Sequence, residues 1–192
     1  MKVYDYHGLR SPKIVAIGGG TGLSNMLRGL KRYTRNLTAI VTVTDNGGGS
    51  GVLRRELGML PPGDIRNCMQ ALANTEDTIE ELLSYRFAGG SLKGQSFGNL
   101  FLAALGGISE SFEEAVTKLG QVLAVSGRVL PVSNDLLDLE AKLSDGSTVL
   151  GETEIVRTCR EKKLKIQKMR ITPEKASPVS ACLEAIRQAE LI

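Results

Sequence analysis

Two glycine-rich segments constrain the fold of this chain more than any other feature. The first, 18–22, reads Gly-Gly-Gly-Thr-Gly and follows the apolar run 13–17; the second, 45–51, reads Asp-Asn-Gly-Gly-Gly-Ser-Gly and follows the run 37–44. Between them, apolar residues recur at helical spacing: Leu23, Met26, Leu27 and Leu30. This pattern predicts a strand–turn–helix–strand unit of a parallel α/β sheet, whose consecutive strand ends face one crevice.

The middle of the chain is predominantly helical in pattern. Polar residues that each precede an apolar helical face are predicted helix N-caps: Asp64, Ser96 and Ser111. A further helix is predicted over 77–87. This region would pack as helices around the sheet that the two glycine segments define.

From Arg128 onward the pattern changes to short strands. Asp145-Gly146 predicts a hairpin turn. The run 164–171 is strand-like, and its apolar register slips, which indicates a bulge. Ser177-Pro178 predicts the start of a last helix. The fold class is therefore α/β, with a mostly parallel sheet, a helical middle region and a C-terminal part that contains a β-hairpin.

Composition excludes several functional classes. The chain has 192 residues, a net charge of +3 and 42% apolar residues. This charge is too small to indicate nucleic-acid binding, and no apolar stretch is long enough to cross a membrane. The N-terminus lacks the apolar segment of a signal peptide, so the protein is expected to be cytoplasmic. A single histidine, His7, argues against a histidine-based triad or zinc site.

The basic run 157–170 is the only local concentration of charge. It holds seven lysine and arginine residues: Arg157, Arg160, Lys162, Lys163, Lys165, Lys168 and Arg170. A solvated helix-and-strand face is the first interpretation. A patch that faces a phosphate or a membrane is the alternative.

The first glycine turn has the composition of a phosphate-binding turn. It is not a complete dinucleotide fingerprint, because Leu23 occupies the place of the third glycine, and no Gly-Lys-Ser/Thr follows as in a Walker A loop. The residues predicted to approach a phosphate are Gly18, Gly19, Gly20, Thr21 and Gly22. A tight turn without a ligand is the alternative.

The second turn adds a carboxylate to the backbone amides. Asp45 stands where dinucleotide-binding proteins place an acceptor for ribose hydroxyls, and the same position suits Mg²⁺. Gly47, Gly48 and Ser50 are predicted to form an N–H-rich loop. Arg54 or Arg55, one turn further on, is predicted to clamp a phosphate. The alternative role of Asp45 is that of a helix cap or turn former.

Two later polar clusters are further candidates. Asp64, Arg66 and Asn67 stand at a predicted helix start, and Asn99 stands at the entry to another helix. Asn99 is predicted to read a base or a hydroxyl. A purely structural role, capping for Asp64, is the alternative at both places.

Taken in order, these segments resemble one family. The first segment is the glycine turn 18–22 together with Leu23-Ser24, and the second is Val41-Thr42-Val43-Thr44-Asp45. Then come Leu60-Pro61-Pro62-Gly63-Asp64-Ile65-Arg66-Asn67, Phe97-Gly98-Asn99-Leu100-Phe101 and Gly127-Arg128-Val129-Leu130-Pro131. Together they are similar to the YvcK/CofD-like family, specifically the gluconeogenesis-factor branch. The resemblance runs from about Lys13 to the C-terminus.

The resemblance implies a fold and a function. It implies a Rossmann-like three-layer sandwich over 13–192, preceded by a leader, 1–12, and without the family's C-terminal part. YvcK-type members are cytoplasmic proteins that bind UDP-sugars, notably UDP-N-acetylglucosamine, and support cell shape and wall synthesis during gluconeogenic growth. CofD-type relatives are Mg²⁺-dependent 2-phospho-L-lactate transferases of coenzyme F420 synthesis. In those enzymes two aspartates serve the metal, and Asp45 and Asp64 match them.

Three positions depart from the family pattern. Asn46 and Gly49 stand where the usual loop has an aspartate and a serine, and Gln95 replaces a histidine. One carboxylate, one hydroxyl and one acid–base group are thereby lost. The departures favour binding over catalysis.

The sequence therefore predicts a regulatory protein that binds a nucleotide-sugar or another phosphorylated small molecule. Asp45 would accept a sugar or ribose hydroxyl, and the resemblance leads us to expect a homo-oligomer. The alternative is a transferase of the phospholactate type with Mg²⁺ on Asp45 and Asp64. An NAD-dependent oxidoreductase is a third alternative, disfavoured by the incomplete fingerprint.

Overall fold

The structure, a computed structural model, describes residues 11–192, so the predicted leader, 1–12, lies outside the described residues except for its last two. The strands are β1 (Ile14–Gly18), β2 (Leu37–Val41), β3 (Arg128–Pro131), β4 (Asp138–Leu143), β5 (Thr148–Leu150) and β6 (Ile166–Thr172). The helices are α1 (Gly20–Leu30), α2 (Gly48–Leu57), α3 (Gly63–Leu72), α4 (Asp77–Ser84), α5 (Phe97–Gly107), α6 (Phe112–Val122), α7 (Glu152–Lys162) and α8 (Ser180–Gln188). In this part of the chain no helix has the length and apolarity needed to cross a bilayer.

The first three strands form a parallel sheet in the order β1-β2-β3. All five residues of the central strand, β2, are buried, as expected of a β-branched apolar run between two helical layers. A large core that includes Leu27, Leu72 and Leu119 joins α1, α3 and α6 to one face of the sheet. The other face, with Val15 and Ile40, packs against α8. The three-layer α/β prediction is confirmed.

Two of the predicted caps form as expected. The Ser96 hydroxyl accepts a hydrogen bond from the Asn99 amide at 3.3 Å, and the Ser111 hydroxyl accepts one from the Glu114 amide at 3.1 Å. Each satisfies a helix amide that has no partner within its own helix. These caps fix where α5 and α6 begin.

The C-terminal strands form a separate antiparallel sheet in the order β5-β4-β6. Its turn lies at Asp145-Gly146, and the register shifts where Lys142 pairs with Lys168 but Leu143 pairs with Ile166, so the predicted hairpin and bulge are both confirmed. Helix α7 covers one face of this sheet through Ile155. Helix α2 was not predicted from the sequence, and α7 was anticipated only as the helical part of the basic run 157–170.

Two element boundaries differ from the sequence prediction. β2 ends at Val41, so the segment 42–46 is an extended connection rather than strand. The last helix begins at Ser180, not at Ser177-Pro178. The reason is that Pro178 bridges to Ser133 and the Val179 amide donates to the Val132 carbonyl at 3.0 Å, which holds 177–179 in extended conformation.

Candidate functional site

The first glycine turn lies directly against a hydroxyl and a carboxylate. A Cβ atom on Gly19 would be 2.4 Å from Oγ1 of Thr42 and 2.8 Å from Oδ2 of Asp64. Gly20 has φ +64°, a conformation that favours glycine, and its amide donates a hydrogen bond to the Asp64 carboxylate. The backbone conformation therefore favours glycine at position 20, and a side chain at position 19 would displace the oxygens of Thr42 and Asp64.

Asp64 reaches this turn because it is not the N-cap of α3, as the sequence analysis predicted. Helix α3 begins at Gly63, with Pro62 in the cap position, and Asp64 lies within its first turn. Burial raises the pKa of Asp64, and the nearby Asp45 raises it further; the Gly20 amide and Arg66 oppose the rise. Asp64 is thus a half-buried carboxylate beneath the first glycine turn.

The second turn is held by its own carboxylate. Oδ1 of Asp45 accepts a hydrogen bond from the Gly47 amide at 2.8 Å, and Gly48 has φ +49°. The Ser50 hydroxyl is buried and accepts a hydrogen bond from the Gly63 amide at 3.1 Å. These contacts join the starts of α2 and α3.

The two turns lie side by side at the ends of neighbouring strands. Gly18 and Val41 are register partners, and the Thr42 amide donates to the Gly18 carbonyl at 2.9 Å. A Cβ atom on Gly63 would be 3.7 Å from Oδ2 of Asp45. We call the space bordered by 18–22, 45–51 and Asp64 the glycine crevice. The structure therefore brings the two predicted segments and both predicted aspartates together.

Two helices begin at the glycine crevice with a glycine as N-cap, so the N-cap residue has no side chain that could accept from the helix amides. Gly19 and Gly47 are the N-caps of α1 and α2, and neither helix has an acidic residue in its first turn. The first amides of a helix have no intrahelical partner, and the helix dipole adds positive potential there. Two such helix starts at one crevice suit a ligand with two adjacent anionic groups.

Part of the crevice comes from α7 and was not predicted from the sequence. Oδ1 of Asn46 accepts hydrogen bonds from the Thr153 amide at 3.0 Å and from its hydroxyl at 2.9 Å. Burial raises the pKa of the adjacent Glu152, and Asp45 and Asp64 raise it further. Glu152 is therefore a third carboxylate near the crevice. Gly151 followed by an acidic first turn was the local signal for this helix start.

The described side chains do not form a preassembled metal site. Within residues 11–192, no group of three or more His, Cys, Asp or Glu residues could hold a metal ion. Asp45 and Asp64 each accept a hydrogen bond from a turn amide. Mg²⁺ usually keeps several waters and uses one or two carboxylates plus substrate phosphates. A Mg²⁺ ion at Asp45 and Asp64 would therefore need water and ligand phosphate oxygens to complete its coordination.

The side chains of Arg66 and Asn99 lie together, and they form a hydrogen bond with each other. Nε of Arg66 donates to Oδ1 of Asn99 at 3.1 Å, and Nη1 donates to Oε1 of Gln70 at 2.6 Å. Asn99 is 3% exposed. Burial lowers the pKa of Arg66, and the charge of Arg86 lowers it further. Asn67 lies half-buried on the same helix, α3. A ligand role for Arg66, Asn67 and Asn99 remains a prediction.

Arg54 does not point into the glycine crevice as predicted. Its Nη2 atom donates to the Leu137 carbonyl at 2.8 Å and lies 2.9 Å from Oδ2 of Asp138. The arginine thus connects α2 to the start of β4. Arg55, the other predicted clamp, is exposed.

Gln95 is a buried polar residue beside the second turn. A Cβ atom on Gly49 would be 2.9 Å from Oε1 of Gln95. That oxygen is buried and has no hydrogen-bond partner among the described residues. Gln95 and Gly49, two of the three departures from the family pattern, are therefore in contact.

The raised pKa of Asp64 predicts a pH-dependent stability difference. Because its pKa in the folded protein is above the ordinary 3.8, ionisation disfavours the fold, and stability is lost as the pH rises through the folded pKa. The Asp64→Asn variant keeps an acceptor for Gly20 but cannot ionise. The free energy of unfolding of Asp64→Asn, relative to that of the parent, is expected to increase as the pH rises from 3.8 toward neutrality.

Urea unfolding at several pH values measures this difference. Asp45, Arg66 and Glu152 also act on this carboxyl group, so the same series is run for Asp64→Ala, which lacks the acceptor for Gly20. We expect Asp64→Ala to be less stable than Asp64→Asn at every pH. A difference between parent and Asp64→Asn that does not change with pH would contradict the assignment.

The fold and the crevice define the class: a Rossmann-like α/β protein with two glycine turns at the carboxyl edge of its parallel sheet. A profile of the family described as "2-phospho-L-lactate transferase CofD" matches residues 14–192. A protein of Thermoanaerobacterium thermosulfurigenes named "Putative gluconeogenesis factor" is 60% identical over 192 residues, which are 100% of this chain and 59% of that protein. The "Gluconeogenesis factor" of Bacillus subtilis (strain 168) is 47% identical over 184 residues, 95% of this chain and 57% of that protein.

A solved structure agrees with these relatives. The crystal structure of protein BH3568 from Bacillus halodurans has a TM-score of 0.89 and 42% sequence identity, covering 95% of this chain and 58% of that chain. The chain therefore belongs to the CofD/YvcK family, as the sequence resemblance indicated. It spans less than two thirds of the length of these relatives.

Proposed function

We propose that the glycine crevice binds a nucleotide-sugar of the UDP-N-acetylglucosamine type. The observation that supports this most directly is that α1 and α2 both begin at one crevice, each with a glycine as its N-cap. A diphosphate presents two adjacent anionic groups, which match the first amides of these two helices, apart from the Gly20 amide that donates to Asp64. The backbone that would approach it is Gly18, Gly19, Gly20, Thr21, Gly22, Gly47 and Gly48.

The carboxylates would serve the uncharged parts of the ligand. Asp45 has a second oxygen beyond the one that holds Gly47, and it is proposed to accept a ribose or sugar hydroxyl. Glu152 repels a phosphate placed against it, and Asp64 already holds the Gly20 amide, so the diphosphate would approach the remaining helix amides. Ser50 acts by fixing the α2–α3 junction.

We further propose that ligand binding makes this protein a regulator rather than an enzyme. Relatives named gluconeogenesis factor support a link to central carbon metabolism, and the proposed role covers cell shape and cell-wall synthesis during gluconeogenic growth. The expected location is the cytoplasm, with a homo-oligomer as the working assembly. Gln95, which stands where the family usually has a histidine, cannot serve as an acid or base near neutral pH.

Calorimetric titration tests the ligand directly. UDP-N-acetylglucosamine, UDP, GDP and NAD are each added with and without Mg²⁺. We expect UDP-N-acetylglucosamine to bind without metal, and Asp45→Ala to weaken it. Asp77→Ala, which removes an exposed aspartate on α4, is the matched control and should bind normally. Absence of binding by all four compounds would contradict the proposal.

A phospholactate transferase is the second candidate, because the matching family profile carries that name. Binding that appears only with Mg²⁺ and is lost in Asp45→Ala would support it over the sensor. In that enzyme Asp45 and Asp64 would hold Mg²⁺ together with phosphate oxygens of the ligand.

A further inference from the structure

Strand β6 is an open edge of the antiparallel sheet. It pairs with β4 on one side, and among residues 11–192 no strand pairs with its other side. All seven of its residues are exposed. An edge of this kind presents unpaired backbone N–H and C=O groups, which are a template for a further strand.

One face of β6 carries apolar side chains that its own sheet leaves partly uncovered. Ile166, Met169 and Ile171 are 48%, 43% and 40% exposed. Their partners on β4 lie on the α7 side, where Ala141 and Leu143 are fully buried. Helix α7 therefore covers the centre of the sheet and stops short of this edge.

The opposite face carries a pair of lysines in addition to an arginine that faces a glutamate. Lys168 lies directly across from Lys142, and like charges at opposite positions destabilise a sheet. In the described part of the chain neither lysine forms an ion pair. Arg170 lies across from Glu140, and Lys165 precedes the strand. An anionic partner would remove the repulsion between the two lysines.

We propose that the edge of β6 binds an extended acidic peptide segment of another protein as a fourth strand. The alternation along β6 specifies its chemistry: apolar side chains would pack against Met169 and Ile171, and carboxylates on the other face would approach Lys168 and Arg170. A second copy of β6 would bring the same cations together, so charge disfavours self-pairing. Two of the seven basic residues of the run 157–170, Lys168 and Arg170, thereby gain a specific role.

The test uses the whole chain and a fluorescein-labelled peptide of alternating glutamate and valine, matched in length to β6. Fluorescence anisotropy measures its affinity, and hydrogen exchange measures amide protection. We expect binding together with slower exchange within 166–172. The same peptide with alternate amides N-methylated keeps its charge but cannot pair as a strand, so it should not bind.

Charge-reversal variants locate the site. Lys168→Glu with Arg170→Glu is expected to weaken binding about tenfold. Arg32→Glu with Arg187→Glu changes the net charge equally on exposed positions of other elements and should leave affinity within about twofold. Thermal melting of both variants confirms that they fold.

Four results would overturn the proposal. They are no binding of the unmethylated peptide, equal binding of the N-methylated peptide, equal loss in both charge-reversal variants, and no added protection in β6. Displacement of the peptide by phosphatidylserine vesicles or RNA, with a loss of their own binding in Lys168→Glu/Arg170→Glu, would assign the surface to a membrane or a nucleic acid instead.

Discussion

Replacing Gly51 by alanine is expected to lower the free energy of unfolding by about 2–3 kcal/mol. The new Cβ atom would lie 2.1 Å from the carbonyl oxygen of Asn46 and 2.6 Å from its carbonyl carbon. These are backbone atoms, and they are fixed on both sides: Asp45 holds the Gly47 amide, and the Asn46 side chain holds Thr153. The turn must therefore open before α2 can accept the methyl group.

Thermal and urea unfolding measure this effect. The expected loss corresponds to a decrease in Tm of about 5–10 °C for a chain of this size. Gly22→Ala is the control, because Gly22 also lies in the first turn of a crevice helix, but its Cβ atom would meet nothing within 4 Å. That variant should be neutral or more stable by up to about 1 kcal/mol, because alanine is the better helix former. Equal stability of the two variants would contradict the structure of the second turn.

Gly19→Ala is expected to weaken UDP-N-acetylglucosamine binding by about 30-fold, equivalent to about 2 kcal/mol. Gly19 is extended, at φ −154°, so alanine brings no backbone strain. Its Cβ atom would meet side-chain oxygens of Thr42 and Asp64, which can move. Their displacement removes the acceptor from the Gly20 amide, and the methyl group blocks backbone approach to the ligand. Stability should fall less than in Gly51→Ala.

Calorimetric titration of Gly19→Ala and Gly29→Ala separates these effects. Gly29 lies at the other end of α1, and its Cβ atom would meet nothing within 4 Å. Gly29→Ala should therefore bind like the parent. If the parent binds and Gly19→Ala binds equally well, the first turn does not contact the ligand. If the parent itself fails to bind, the nucleotide-sugar proposal fails instead.

The departures from the family pattern have partners that only the structure reveals. Asn46, which stands where the family usually has an aspartate, accepts two hydrogen bonds from Thr153. Gly49 leaves room for Gln95, because a Cβ atom there would be 2.9 Å from the glutamine oxygen. From the sequence alone these positions indicated only a loss of polar chemistry. In the fold, they join the second glycine turn to α7 and to the segment before α5.

Predictions from local patterns were accurate where one segment determines its own structure. The β-branched runs correctly predicted β1 and the start of β2, and Ser96 and Ser111 correctly predicted the caps of α5 and α6. The slipped apolar register correctly predicted the bulge of β6. Predictions failed where a segment distant in the sequence pairs with the residues that a local pattern assigns to another structure. Ser177-Pro178 has the pattern of a helix start, but pairing with 132–133 keeps it extended.

The sequence by itself determined that the two glycine turns follow neighbouring strands and open onto one crevice, because glycine and β-branched periodicity act within a few residues. The tertiary structure decided which side chains serve that crevice. Asp64 accepts a hydrogen bond from the Gly20 amide instead of capping α3, and Arg54 pairs with Asp138 instead of facing the crevice. Thr153 donates to Asn46, a residue 107 positions away in the sequence. Burial and hydrogen-bond satisfaction, which depend on the whole packed chain, set these pairings.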